Sequence, residues 1–139
     1  MEDYAGDVTS QQAWEMLSKE KDAVLVDVRT KAEWIFVGVP DLGTIGKRAI
    51  FREWQQFPTM EQNPDFVVQL KEELALTDAP VLFLCRSGNR SRSAASALTR
   101  QGFTRCYNIS DGFEGQADRE KHRGRINGWK HADLPWVQG

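Results

Sequence analysis

Cys85 closes an apolar run and opens a cationic turn. Val81, Leu82, Phe83 and Leu84 precede it, and Arg86, Ser87, Gly88, Asn89, Arg90 and Ser91 follow. Backbone N–H groups in a tight turn that feeds a helix point inward and bind anions. The helix N-terminus and the guanidinium groups of Arg86, Arg90 and Arg92 add positive potential. Such surroundings favour the thiolate, which is the nucleophilic form of cysteine. Gly88 suits a place where the backbone must turn sharply, and Ser87, Asn89 and Ser91 add short hydrogen-bonding groups. A thiolate inside an anion cradle suits attack on, or transient storage of, an anionic group. The plain alternative is a cysteine that serves as a small buried hydrophobe at a strand end, with Arg86 and Arg90 pairing surface carboxylates. The cationic loop and helix start directly after Cys85 weigh against it.

Two enzyme classes build a cysteine–loop–arginine cradle. Cysteine phosphatases place five residues between the cysteine and the arginine, whereas here Arg86, Ser87, Gly88 and Asn89 alone separate Cys85 from Arg90. A shorter loop closes a smaller ring of N–H donors. It suits a persulfide sulfur better than a phosphoryl group with three equatorial oxygens.

The elements that must position this loop alternate between strand and helix. Residues 23–29, 80–85 and 106–109 are short, nearly continuous apolar runs, the pattern of strands covered on both faces. Residues 48–51 predict a further short strand. Ala13, Trp14, Met16 and Leu17 have helix spacing within 10–20, with Thr9 or Ser10 as cap. Thr30 and Glu33 have the spacing of a capping box, so a short helix starts at Thr30. Asn63 as cap and Pro64 at the first helical position predict a helix over 63–74, with Phe66, Val67, Leu70 and Leu74 as its apolar stripe. Residues 91–102 predict a helix that stops at Gly102. The stretch 38–47, with three glycines and a proline, reads as loop. Buried strands separated by helices imply an α/β fold with a largely parallel sheet, and active sites of such sheets gather where strand carboxyl ends meet the next loops. Cys85 lies at such an end.

The chain of 139 residues suffices for one domain, expected to span 1–139. A net charge of −2 argues against general nucleic-acid binding, which wants a basic face. No apolar run approaches the roughly 20 residues of a membrane span, and the acidic start MEDYAGDV has no signal-peptide core. Two cysteines are no disulfide scaffold and fit a reducing compartment. A cytoplasmic location is the expectation.

CRSGNRS (85–91) resembles the active-site loop of single-domain rhodaneses, the thiosulfate sulfurtransferase-like family, whose pattern is Cys-Arg-Ser-Gly-x-Arg-Ser/Thr. VLVDVRTKAEW resembles the family's first motif, an Asp-x-Arg at a strand end before a short helix. GWKHADLPW resembles its closing segment. The likeness covers roughly residues 8 to 137. It departs after Glu33, where the family's Gly-His-Ile-Pro-Gly-Ala is replaced by FVGVPDLGTIGKRAI, a longer loop without histidine that is expected to shape the site entrance.

The resemblance implies a rhodanese-like three-layer domain, with a central mostly parallel sheet and helices on both faces. It implies a sulfurtransferase that works by double displacement through a persulfide on Cys85. Arg86, Ser87, Gly88, Asn89, Arg90 and Ser91 would form the substrate-binding loop. The partners it implies are a small anionic sulfur donor such as thiosulfate and a thiol or cyanide acceptor, the acceptor thiol being borne by a protein in one version. No metal or organic cofactor is required. Two other readings stand beside it: a cysteine phosphatase or arsenate reductase of similar architecture, and a sulfur-carrying or binding module with one dedicated protein partner.

Other residues have plainer readings. Asp27 and Arg29 either line the site face or form a mutual, loop-fixing ion pair, and the pair is the stronger expectation. Cys106 could resolve an oxidised Cys85, but a buried structural cysteine is preferred. His122 and His131 lack metal-ligand spacing with a cysteine and read as solvated. Trp129 and Trp136 could roof the pocket or simply pack the tail onto the domain. Residues 118–125 mix both charges and read as a solvated surface.

Overall fold

Three apolar runs lie side by side at the centre of the molecule, because each must cover two faces at once. The computed structural model describes residues 3–138. In chain order its elements are β1 (Gly6–Val8), α1 (Ser10–Lys19), β2 (Val24–Asp27), α2 (Lys31–Phe36), β3 (Val39–Pro40), a 3₁₀ turn (Gly43–Ile45), β4 (Ile50–Phe51), β5 (Gln55–Gln56), β6 (Glu61–Gln62), α3 (Phe66–Glu73), β7 (Val81–Leu84), α4 (Asn89–Thr99), β8 (Cys106–Ile109) and β9 (Trp136–Val137). The main sheet runs β1-β8-β7-β2-β4, and every pairing in it is parallel. β3 pairs with β9, and β5 with β6, as two small antiparallel ribbons.

Side chains alternate across the sheet and build two cores. Val26, Val81, Phe83 and Cys106 face α3 and α4, where they meet Phe66, Leu70, Ala94, Ala95 and Leu98. Leu25, Leu82, Leu84 and Ile109 face α1 and the C-terminal segment, where they meet Ala13, Leu17, Phe113 and Trp129. Helices therefore cover both faces of an α/β sheet, the three-layer arrangement expected from the sequence. Leu82, Phe83 and Leu84 are wholly buried. At roughly 1.5–3 kcal/mol for each such side chain, β7 is firmly anchored, and so is the carboxyl end that carries Cys85.

Local signals set several helix starts. Thr9 and Gln12 form a full capping box on α1, and Thr30 and Glu33 form one on α2. Elsewhere the expected limits shift. α3 begins at Phe66, not at Asn63. The Asn63 side chain accepts the Asp65 N–H at 3.0 Å and donates to the Glu53 carbonyl at 3.0 Å, so Asn63 and Pro64 form a turn ahead of the helix. α4 begins at Asn89, with Gly88 as its cap, and ends at Thr99, short of Gly102. The last residues of the cysteine loop are thus the first turn of the helix. The stretch 38–47 is largely irregular, as expected, but β3 within it is held by β9.

Candidate active site

The Cys85 loop is moulded against residues 110–115. Gly88 has φ +104, and a side chain there would overlap the Ser110 carbonyl. Gly112 has φ +67, and its Cβ would overlap the Arg86 carbonyl. Two glycines thus let two backbones touch. The Cys85 carbonyl accepts the Phe113 N–H at 2.8 Å, and the Arg86 carbonyl accepts the Glu114 N–H at 3.0 Å. The first carbonyls of the loop are drawn toward 113–115, and its Gly88 N–H points to the Cys85 sulfur. Asp111 locks the supporting segment: it accepts the Ser10 N–H and hydroxyl at 2.9 and 2.8 Å and the Gly128 N–H at 3.1 Å. The turn signal Asp111-Gly112 straight after an apolar strand was the local trace of this support.

Cys85 Sγ lies at the floor of a pocket of about 560 Å³. The Gly88 N–H donates to it at 3.1 Å, and the Ser91 hydroxyl is also 3.1 Å away. Arg86, Ser87, Asn89 and Arg90 line the pocket with it. All seven residues singled out from the sequence therefore meet in one constellation. The remaining walls come from Glu33, Val37, Gln55, Met60 and Glu114. The rim expected from 38–47 is instead supplied by Val37 and by the β5–β6 ribbon, while 39–43 and 47–49 line a separate groove.

The two loop arginines differ. Arg90 pairs side-on with Glu33, Nη1 to Oε1 at 2.6 Å and Nη2 to Oε2 at 3.0 Å. Burial pushes the Glu33 carboxyl up, but the hydrogen bonds and charge of Arg90 outweigh this and hold it below the ordinary value. Burial likewise disfavours the Arg90 cation, and Glu33 more than restores it, with a further contribution from Cys85. Arg86 is exposed, lines the pocket and enters no ion pair among the described residues.

Other expectations resolve plainly. Asp27 and Arg29 are a fully buried pair at 2.7 Å. Arg29 also donates to the Gly38 carbonyl at 2.8 Å and stacks on Phe113, so the pair fixes loops beside the site. Cys106 is wholly buried in the core, and burial pushes its thiol up to about 11. His122 and His131 are exposed. Trp129 is buried edge-on to Trp14, and Trp136 packs on Phe113. Neither roofs the Cys85 pocket, so the tail packing is the reading that holds. Among the described residues no helix is long and apolar enough to cross a membrane.

Comparison with known proteins agrees with this architecture. The family model described as the STR4 middle domain matches residues 5–139. The chain is 43% identical over 129 residues to the uncharacterized protein RC0915 of Rickettsia conorii, covering 93% of this chain and 94% of that one. It is 31% identical over 115 residues to the thiosulfate sulfurtransferase GlpE of Glaesserella parasuis, covering 83% and 89%. The crystal structure of Rv0390 from M. tuberculosis superposes with a TM-score of 0.90 at 51% identity, covering 98% of this chain and 99% of that one. A match that runs almost end to end, on a sheet with the same layering, leaves one assignment: the chain belongs to the rhodanese-like family, in the group described as the STR4 middle domain.

Proposed function

We propose that this chain is a sulfurtransferase that carries sulfane sulfur as a persulfide on Cys85. The observation that supports it most is the seat of Cys85 Sγ. The sulfur faces an open pocket, with a backbone N–H aimed at it and a helix N-terminus beginning four residues on. The thiolate attacks the outer sulfur of a donor such as thiosulfate. The new Sγ–S bond forms as the donor S–S bond breaks, and its electron pair leaves with sulfite. An acceptor then attacks the outer persulfide sulfur and Cys85 leaves as thiolate, so cyanide becomes thiocyanate and a thiolate becomes a persulfide. Arg86 attracts the anionic donor, and the loop N–H groups from Arg86 to Ser91 hold the terminal sulfur, where negative charge collects.

An acceptor thiol carried by a protein is favoured by the rim. Val37 and Met60 line the pocket, and their neighbours Phe36 and Phe57 stand 75% and 61% exposed. Exposed apolar side chains at the rim of the pocket offer contact area to a protein that carries the acceptor thiol.

Intact mass after incubation with thiosulfate tests the proposal. The expected result is a gain of one sulfur atom, absent in Cys85→Ser and released by cyanide as thiocyanate. No gain in the wild type across thiosulfate and polysulfide donors, with phosphate-ester turnover instead, would put a phosphatase in its place.

A further inference from the structure

We propose that Asn108 is a positioning residue for Cys85. It acts through Ser91, by deciding which way the Ser91 hydroxyl points and so whether the sulfur is held as a thiol or as an anion.

Asp7, Asn108, Ser91 and Cys85 form one chain of hydrogen bonds. It runs from an exposed carboxylate on the edge strand β1, across β8, to the sulfur. Tyr4 Oη donates to Asp7 Oδ1 at 2.8 Å, and Asn108 Nδ2 donates to the same oxygen at 2.9 Å. An ionised carboxylate offers only acceptors, so the Asn108 amide must turn its NH₂ to Asp7. Its Oδ1 is then left for Ser91 Oγ, 2.5 Å away. That carbonyl oxygen also only accepts, so the single hydroxyl hydrogen of Ser91 is committed to Asn108. Toward Cys85 Sγ, at 3.1 Å, Ser91 Oγ can then only accept, and Cys85 must donate its S–H.

Ser91 and Asn108 are wholly buried and Cys85 nearly so, so each direction in the chain is fixed by its neighbour rather than by solvent. In this state the thiol has an acceptor, whereas a thiolate would keep the Gly88 N–H as a donor and face a lone pair of Ser91. Forming the anion calls for the Ser91 O–H to rotate about Cβ–Oγ from Asn108 to Sγ as the sulfur's proton passes to solvent. The same rotation would serve a persulfide anion. Ser91 is thus a two-position donor, and Asn108, fixed by Asp7, biases it toward the position that keeps a resting thiol. The consequence for turnover rests on the proposed sulfur-carrying role of Cys85, but the hydroxyl switch does not.

Among the described residues, the charged groups lining or bordering the Cys85 pocket include Arg86 in the loop, Arg90 on α4, Glu33 on α2, Glu114 beyond β8, and the Asp27–Arg29 pair at the end of β2. Substitutions at 91 and 108 alter no charge, whereas Asp7→Ala removes the carboxylate at the end of the chain, so its shift reports the Ser91 hydroxyl only as far as Ser91→Ala abolishes it.

The test is the pH profile of Cys85 alkylation by iodoacetamide, with peptide mapping to separate Cys85 from Cys106. Asn108→Leu removes the competing acceptor and is expected to move the midpoint down by about one pH unit. Asp7→Ala frees the amide to turn over and moves the midpoint the same way. In a Ser91→Ala background neither substitution moves it. An unchanged midpoint in both Asn108→Leu and Asp7→Ala overturns the proposal, as does an equal shift without the Ser91 hydroxyl. Should Asn108→Leu not fold, the exposed Asp7→Ala, with and without Ser91→Ala, decides alone. Sulfur transfer is assayed separately. Its absence alongside an intact midpoint shift removes the sulfur-carrier reading and leaves the switch standing.

Discussion

Arg90 and Glu33 meet two nitrogens to two oxygens across 57 residues of chain, joining the start of α4 to the start of α2. Glu33 has two roles in that contact. It closes the capping box on Thr30, accepting its N–H at 3.2 Å, and it neutralises Arg90 in the anion cradle. The cradle's second cation therefore reaches the pocket already compensated, and among the described residues the unpaired cation lining the pocket is Arg86.

The Glu33 carboxyl is held below the ordinary carboxylate value, because Arg90 outweighs burial. A carboxyl lowered in this way stabilises the fold above its unfolded value, and that contribution disappears as pH falls through the folded value. Glu33→Gln is expected to lose about 1–2 kcal/mol at neutral pH, the lower part of the range for a hydrogen bond to a charged group, because the pair keeps some contact with solvent. The gap to wild type should close as the pH falls from the ordinary Glu value of about 4.3 through the lower folded one. Urea unfolding at a series of pH values measures it. A gap that stays constant with pH would assign the loss to packing rather than charge.

Arg86 is exposed and unpaired among the described residues, so its removal should cost little stability. Its charge faces the pocket, so Arg86→Gln is expected to raise KM for thiosulfate by roughly tenfold at low salt and to leave kcat nearly unchanged. Salt should weaken donor binding by the wild type and hardly affect the variant, since a Debye length of about 10 Å at 0.1 M already screens a surface charge. Steady-state kinetics at several ionic strengths decide this. A fall in kcat at constant KM would place Arg86 on the transition state instead.

Gly112 should be as intolerant as any loop residue, although it holds no sulfur. With φ +67 and the Arg86 carbonyl in the way of a Cβ, Gly112→Ala must push the cysteine loop aside. Strained backbone of this kind costs of order 1–3 kcal/mol before the collision is counted. The expected outcome is lowered stability together with slowed alkylation of Cys85. Unfolding and thiol labelling on the same preparation read both, and normal labelling would show that the loop does not lean on Gly112.

Parts of this architecture were legible because their signals are local. The runs at 23–29, 80–85 and 106–109 declared themselves by nearly continuous apolarity, and Thr30 and Glu33 by their spacing. β1, β5 and β6 did not: Gly6–Val8, Gln55–Gln56 and Glu61–Gln62 are too short and polar to show a period, and only pairing makes them strands. The seven loop residues were readable as one cluster, because a strand end, a turn and a helix start adjoin in the chain. Their supports were not. Gly112 under Arg86, Glu33 on Arg90 and Asn108 behind Ser91 are contacts between residues distant in sequence, and each distant residue has an ordinary role of its own as turn, cap or strand member.

Cys106 supplies the contrast that isolates Cys85. Both cysteines sit in the core that faces α3 and α4, but Cys85 borders the pocket whereas Cys106 is wholly buried. Burial pushes the Cys106 thiol from 9.0 to about 11, so it remains neutral where an exposed thiol would ionise. A group whose folded value is raised stabilises the protein fully below its unfolded value and loses that contribution as pH rises through the folded one. The protein is therefore expected to weaken between about pH 9 and 11, by roughly 2–3 kcal/mol from this residue. Cys106→Ala should unfold more easily at neutral pH, since a buried sulfur leaves a small void, and should lose less on going to alkaline pH. Its Cys85 labelling and sulfur transfer should match the wild type. Urea midpoints from pH 8 to 11 for both proteins settle the first point. If Cys106→Ala abolished transfer while remaining folded, the sulfur would have to pass through a second thiol, and a buried structural role could not hold.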